Sequence, residues 1–116
     1  MANSVNTFYG GSSYSMDEQV VGTWIDGKPI YRRIVKSTSS ITIPKDTWIT
    51  ICSVSDWNAL DLILFSFGRR TANDSRQDIM DVSGQIWQGN LRGHRTTGIT
   101  CDNGYIIIVE FTKTTD

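Results

Sequence analysis

The residues best suited to chemistry crowd into one part of the chain. Five of its seven arginines, Arg69, Arg70, Arg76, Arg92 and Arg95, lie with its single histidine, His94, between positions 69 and 95, on either side of Trp87. Arginine presents a planar fork of N–H donors, tryptophan presents a large flat face, and both are enriched where a surface recognises a partner. Arg69, Arg70, Trp87, Arg92, His94 and Arg95 therefore form the candidate binding set, for which an anionic glycan would be a matching ligand. The competing reading makes Trp87 core and the arginines a solvated rim.

Catalysis finds less support in the residues. A histidine-based nucleophile needs Ser or Cys on one side of the ring and a carboxylate on the other. His94 instead sits in the run Arg92-Gly93-His94-Arg95, and no G-x-S-x-G turn is present. Asp74, Asp78 and Asp81 are the densest acidic set, but their spacing does not match the calcium loop, and with Arg70 and Arg76 interleaved they read as a solvated loop. A glycosidase needs two carboxylates across a cleft; Glu18 and Glu110 are the only glutamates, and no acid pair stands out. Gly10-Gly11 has neither the preceding strand nor the lysine of a phosphate cradle. Cys52 and Cys101 are too few and too far apart for zinc, and each lies in an apolar run, so they read as buried free thiols. Asn73-Asp74-Ser75 fits the N-glycosylation pattern and marks only an exposed loop. The expectation is a protein that is not an enzyme, with no metal and no cofactor.

The scaffold must fit in 116 residues and 13.0 kDa, the size of a single domain. With 11 basic and 12 acidic residues the formal net charge is −1, which gives no global field for a phosphate backbone and argues against nucleic acid. No apolar run approaches the ~20 residues of a membrane span, so no membrane insertion is expected. The first residues lack the charged start and apolar core of a secretory signal, which implies synthesis and retention in the cytosol unless something else carries the protein out.

Residues 1–17 are rich in Asn, Ser, Gly and Tyr and cannot bury enough apolar surface to offset their ordering entropy. They read as an N-terminal arm, with Phe8, Tyr9 and Tyr14 as candidate attachment residues because aromatics give a short peptide large contact area. Over residues 18–116 the hydrophobic period is two, which predicts strands. Residues 19–36 read as a hairpin turning at Asp26-Gly27-Lys28-Pro29, with Trp24 buried. Ile41–Pro44 and Thr47–Cys52 are further extended pieces, and Asp56–Leu60 is the one candidate helical turn, capped by Ser55 or Asp56. Leu60–Phe67 and Tyr105–Phe111 are apolar on both faces, as covered central strands are. Residues 69–84 read as loop, 85–88 and 92–101 as short strands, and Asp102-Asn103-Gly104 as the last hairpin turn. Turn signals every ~8–12 residues predict an all-β, antiparallel, jelly-roll-like β-sandwich. Two strands without a wet face predict a homo-oligomer, since another copy is the simplest cover.

The stretch Val20-Val21-Gly22-Thr23-Trp24-Ile25-Asp26-Gly27-Lys28-Pro29-Ile30-Tyr31-Arg32-Arg33 resembles the VGTWIDGKPIY segment of tailed-bacteriophage structural proteins of the tail-fibre, head-fibre and receptor-binding kind. The end, Tyr105–Val109 followed by Glu110-Phe111-Thr112-Lys113-Thr114-Thr115-Asp116, resembles the same family's closing strand and YTKTTD tail, with Phe111 where Tyr is usual. The resemblance implies a virion protein, made in the host cytoplasm and assembled as a homo-oligomer, a trimer by analogy with fibres, beside other virion proteins. It hands over no binding residue, and residues 38–100 depart from the family's pattern. Family members carry this domain at the end of a longer chain, so anchoring here is expected of residues 1–17 or of a separate partner. Three roles stay open: a receptor-binding or fibre-tip domain contacting a host cell-surface glycan or protein, a capsid decoration or head-fibre protein with no specific receptor, and, least favoured, a surface-glycan depolymerase.

Overall fold

The computed structural model describes residues 17–115. Ten strands follow one another: β1 (Gln19–Thr23), β2 (Pro29–Ser37), β3 (Ile41–Ile43), β4 (Ile49–Ser53), β5 (Ala59–Arg70), β6 (Arg76–Met80), β7 (Ser83–Trp87), β8 (Asn90–His94), β9 (Ile99–Cys101) and β10 (Tyr105–Lys113). The protein is an all-β antiparallel sandwich. One layer is a five-stranded sheet in the order β1-β2-β10-β5-β6; the other holds β4-β8-β7 and the pair β3-β9. The pairs nest, β2 with β10, β3 with β9 and β4 with β8, which is the folded-over ribbon of a jelly roll.

Alternation along the strands builds the core. Tyr105, Ile107, Val109 and Phe111 of β10 point inward and are buried, and their neighbours in register include Phe67 and Val35. The facing layer supplies Ile43, Leu91 and Cys101, and Val82 joins them from the segment between β6 and β7. Cys52 and Cys101 are free thiols, and Cys101 is fully buried.

Several expectations from the sequence are corrected. Residues 69–84 are not one loop. They contain the end of β5, all of β6 and the start of β7, and β6 escapes notice because its inward position Asp78 is charged while its outward Ile79 is exposed. Asp102-Asn103-Gly104 is a turn, with the Gly104 N–H bonded to the Cys101 carbonyl at 3.3 Å, but not a hairpin, because β9 pairs with β3 and β10 belongs to the other layer. The helical turn is a 3-10 turn at Ser55–Trp57, without a side-chain cap, so neither Ser55 nor Asp56 caps it. The core tryptophan is Trp57, stacked on Phe111 with centroids 4.9 Å apart, whereas Trp24 is only half-buried beside the first hairpin turn.

The two strands read as apolar on both faces are partly covered by the chain itself. On the outer face of the large sheet Ile34 is buried and Ile106 and Ile108 are half-buried. A register shift beside Arg70 carries the Arg76 guanidinium over Gly68, where it bonds to the Ser66 carbonyl at 3.1 Å and hydroxyl at 2.8 Å. Leu64 and Ile79 of the same face stay exposed.

Candidate functional site

The small sheet β4-β8-β7 carries the site on its outer face, and glycines on its inner face seat it. Gly84 of β7 pairs with Gly93 of β8. A Cβ at Gly84 would collide with the Phe65 ring, and one at Gly93 would come within 3.0 Å of the Ile51 Cδ1, so the missing side chains allow the layers to close. With Gly84, Ile86, Leu91 and Gly93 turned inward, alternation sends Gln85, Trp87, Arg92 and His94 outward.

The turn between β7 and β8 consists of Gln88 and Gly89, both at positive φ (50° and 76°), as a type I′ hairpin requires. The Gly89 carbonyl accepts the Val54 N–H at 2.8 Å, which docks the hairpin tip against the 3-10 turn. Trp87 closes this hairpin opposite Asn90 and is 49% exposed. Trp48, just ahead of β4, is 38% exposed.

Between the two indoles lies Arg92. Its guanidinium carbon is 5.1 Å from the Trp87 ring and 5.6 Å from the Trp48 ring, and Nη1 donates to the Gln85 Oε1 at 3.5 Å. His94 packs at a tilt of 34° against Trp48, with ring centroids 5.1 Å apart, while its Nε2 lies 2.8 Å from the Asp46 carboxylate. The result is a row across the sheet: Asp46, His94, Trp48, Arg92, Trp87.

Of the six residues singled out in the sequence, the structure brings together Trp87, Arg92 and His94, on β7 and β8. The other three stand apart. Arg69 pairs with Asp78 at 2.7 Å, in register with Tyr105 at the far layer. Arg70 bonds to Asp74 at 2.9 Å and to the Asn103 carbonyl at 3.0 Å. Arg95 folds back on its own turn, donating to Thr97 Oγ1 at 2.9 Å and to the Gly98 carbonyl at 2.7 Å. Its carbonyl accepts the Asp46 N–H at 3.1 Å, so Arg95 helps to place the acid that meets His94 without joining the row. Phe8, Tyr9 and Tyr14 lie outside the described residues.

Trp48, Asp46 and Gln85 were not legible as site residues. Trp48 and Asp46 reach the row through the pairing of β4 with β8, which joins distant segments, and Gln85 through its register with Arg92. The dipeptide Gln88-Gly89 was the local signal that could have revealed the β7–β8 hairpin.

The electrostatics single out Arg92. Arg32, Arg33, Arg69 and Arg70 each contact a carboxylate, whereas Arg92 has none among the described residues. Elsewhere, Lys36 and Arg70 both bond to the Asp74 carboxylate and hold its pKa below the ordinary value. Burial pushes the Cys52 and Cys101 thiols up, away from the reactive thiolate. No group of three or more His, Cys, Asp and Glu among the described residues is placed to hold a metal ion. No protein-family model matches the chain, and no curated protein or solved structure matches it.

Proposed function

We propose that this protein is a receptor-binding domain of a phage virion, and that it meets the host cell surface with the outer face of the β4-β8-β7 sheet. The observation that carries the recognition role is Arg92 set between two half-exposed indoles, with no carboxylate contact among the described residues. A surface built only for solubility does not hold two large aromatic rings out to water around a bare cation; such clusters are the anchors of binding interfaces. The virion setting rests on the sequence resemblance of residues 20–33 and 105–116. The exposed Leu64 and Ile79 on the opposite face favour self-association there, as a homo-oligomer.

Competition tests the recognition role. Purified protein added to host cells should block adsorption of the parent phage, and Trp87→Ala or Arg92→Ala protein should block it far less. Equal blocking by the folded variants would leave the tryptophan face without a role in adsorption. Immunogold labelling of virions decides between a tail tip, which the receptor-binding role requires, and a capsid face, which would make the protein a decoration. Light scattering that reports only monomer at micromolar concentration would remove the oligomer.

A further inference from the structure

We infer that the ligand of this face is an acidic saccharide, whose carboxylate or phosphate lies on Arg92 while its sugar ring lies on an indole. The inference rests on reading the β4-β8-β7 face as a recognition surface and names the chemistry that it takes.

Charge comes first. Contacts between a guanidinium and two aromatic faces orient the cation but supply no counter-charge. Among the described residues one N–H of Arg92 is engaged, and weakly, at 3.5 Å from Gln85. The remaining donors of a planar fork match the oxygens of a carboxylate or phosphate in a bidentate arrangement. Arg32, Arg33, Arg69 and Arg70 spend their charge on an acid and Arg95 folds onto its own turn, whereas the Arg92 fork lies between the tryptophans with no carboxylate contact among the described residues.

Shape comes second. The platform is a strand face, not a cleft, and Trp87 at 49% exposure presents a flat apolar surface beside the cation. A pyranose ring has an apolar C–H face and a hydroxyl rim, and so can cover an indole while its acidic substituent reaches the neighbouring guanidinium. A purely apolar ligand would leave Arg92 desolvated without a partner, and a bare anion would leave both indoles exposed. Gln85 and Asn90 flank the two anchors and can serve hydroxyls. Asp46 and His94 act at one remove: they hold the Trp48 ring, which in turn backs Arg92.

The test uses the whole chain and defined probes: oligogalacturonate, N-acetylneuraminate, galactose 6-phosphate, neutral oligogalactose and inorganic phosphate. Binding is followed through the indole N–H and arginine Nε–H signals in NMR titrations. A carboxylated saccharide or galactose 6-phosphate should move the Trp87 and Arg92 signals, and should bind more tightly than neutral oligogalactose and inorganic phosphate. Which acidic probe binds better distinguishes carboxylate from phosphate. Arg92→Gln should weaken that binding about tenfold or more, the scale of a charge-assisted pair, and added salt should weaken the wild type. Folding of each variant is checked by its NMR spectrum, and Arg92→Lys, which keeps the charge but loses the fork, should rescue binding only in part. The inference is overturned if no acidic probe moves these signals, if the neutral saccharide or phosphate alone binds as well, or if Arg92→Gln binds like wild type. Loss of adsorption by the Arg92 variant without any acidic-saccharide binding would sink this inference and leave the receptor-binding role standing. Saccharide binding without an adsorption defect would do the reverse.

Discussion

The two outer faces of the sandwich handle charge in opposite ways. On the five-stranded sheet the cations lie against acids or carbonyls: Arg32 on Glu110 at 2.8 Å, Lys36 and Arg70 on the shared Asp74, Arg76 on Ser66. Its exposed residues include the apolar Leu64 and Ile79. On the β4-β8-β7 sheet the central cation, among the described residues, touches two rings and one amide oxygen. The lesson is that exposure alone does not mark a site. Both faces show large apolar side chains to water, but the β4-β8-β7 face sets two indoles around a guanidinium that contacts no carboxylate among the described residues, a combination that carries charge and shape where an apolar patch carries only hydrophobicity.

The largest expected effect comes from unseating the small sheet. Gly84→Ala drives a methyl group into the Phe65 ring, and overpacking of this kind costs about 1–3 kcal/mol. Thermal melting should show a fall of several degrees, since each kcal/mol is worth roughly 4–8 °C in a domain of about this size. An unchanged melting point would mean that the layers are not held at the spacing the glycine pair implies. Next, Glu110→Gln strips the acid from the neutralised face and should cost up to about 1 kcal/mol in denaturant unfolding, as a partly exposed pair does, with less effect at high salt. A smaller effect of the opposite sign is expected from Gln85→Glu, which gives Arg92 the acid it lacks. Stability should rise by about 0.5 kcal/mol or less, while binding of any acidic ligand falls; a variant that binds such a ligand as well as wild type would show that the bare charge is not what the face offers.

The smallest effect concerns Asp74. Lys36 and Arg70 lower its pKa in the folded state, so its contribution to stability is present above the unfolded value and is lost as pH falls through the folded one. Wild type and Asp74→Asn should therefore differ in stability at neutral pH, and the difference should shrink as the solution is acidified below about 4. A difference that stays constant with pH would remove the carboxylate pairings as its cause.

The sequence carried the β class and the first hairpin openly, because Val20 to Val35 alternates about a strong turn signal. It carried the central position of β10 equally well, because a run of β-branched residues fits little else. β6 stayed hidden because an ion pair, Arg69 with Asp78, takes the inward place of an apolar pair. The site was half legible. Trp87, Arg92 and His94 belong to one hairpin, so closeness in sequence was closeness in space; Arg69, Arg70 and Arg95 were close in sequence only. Asp46 and Trp48 became members through strand pairing across the intervening β5 and β6, which no local pattern encodes.

That pairing also sets the order in which the recognition face can exist. The β7–β8 hairpin closes through a two-residue turn and needs no distant partner to bring Trp87 alongside Arg92. β4 is an edge strand of its sheet, and only its docking along β8 adds Trp48 and Asp46. Local opening of an edge strand leaves half of the platform intact and dissolves the rest. A ligand that touches both indoles binds only the closed form, and so draws β4 down onto β8 by mass action. Occupancy would then be written in the hydrogen exchange of the β4 amides, and a ligand bound there would act as a clasp for the strand that completes the face.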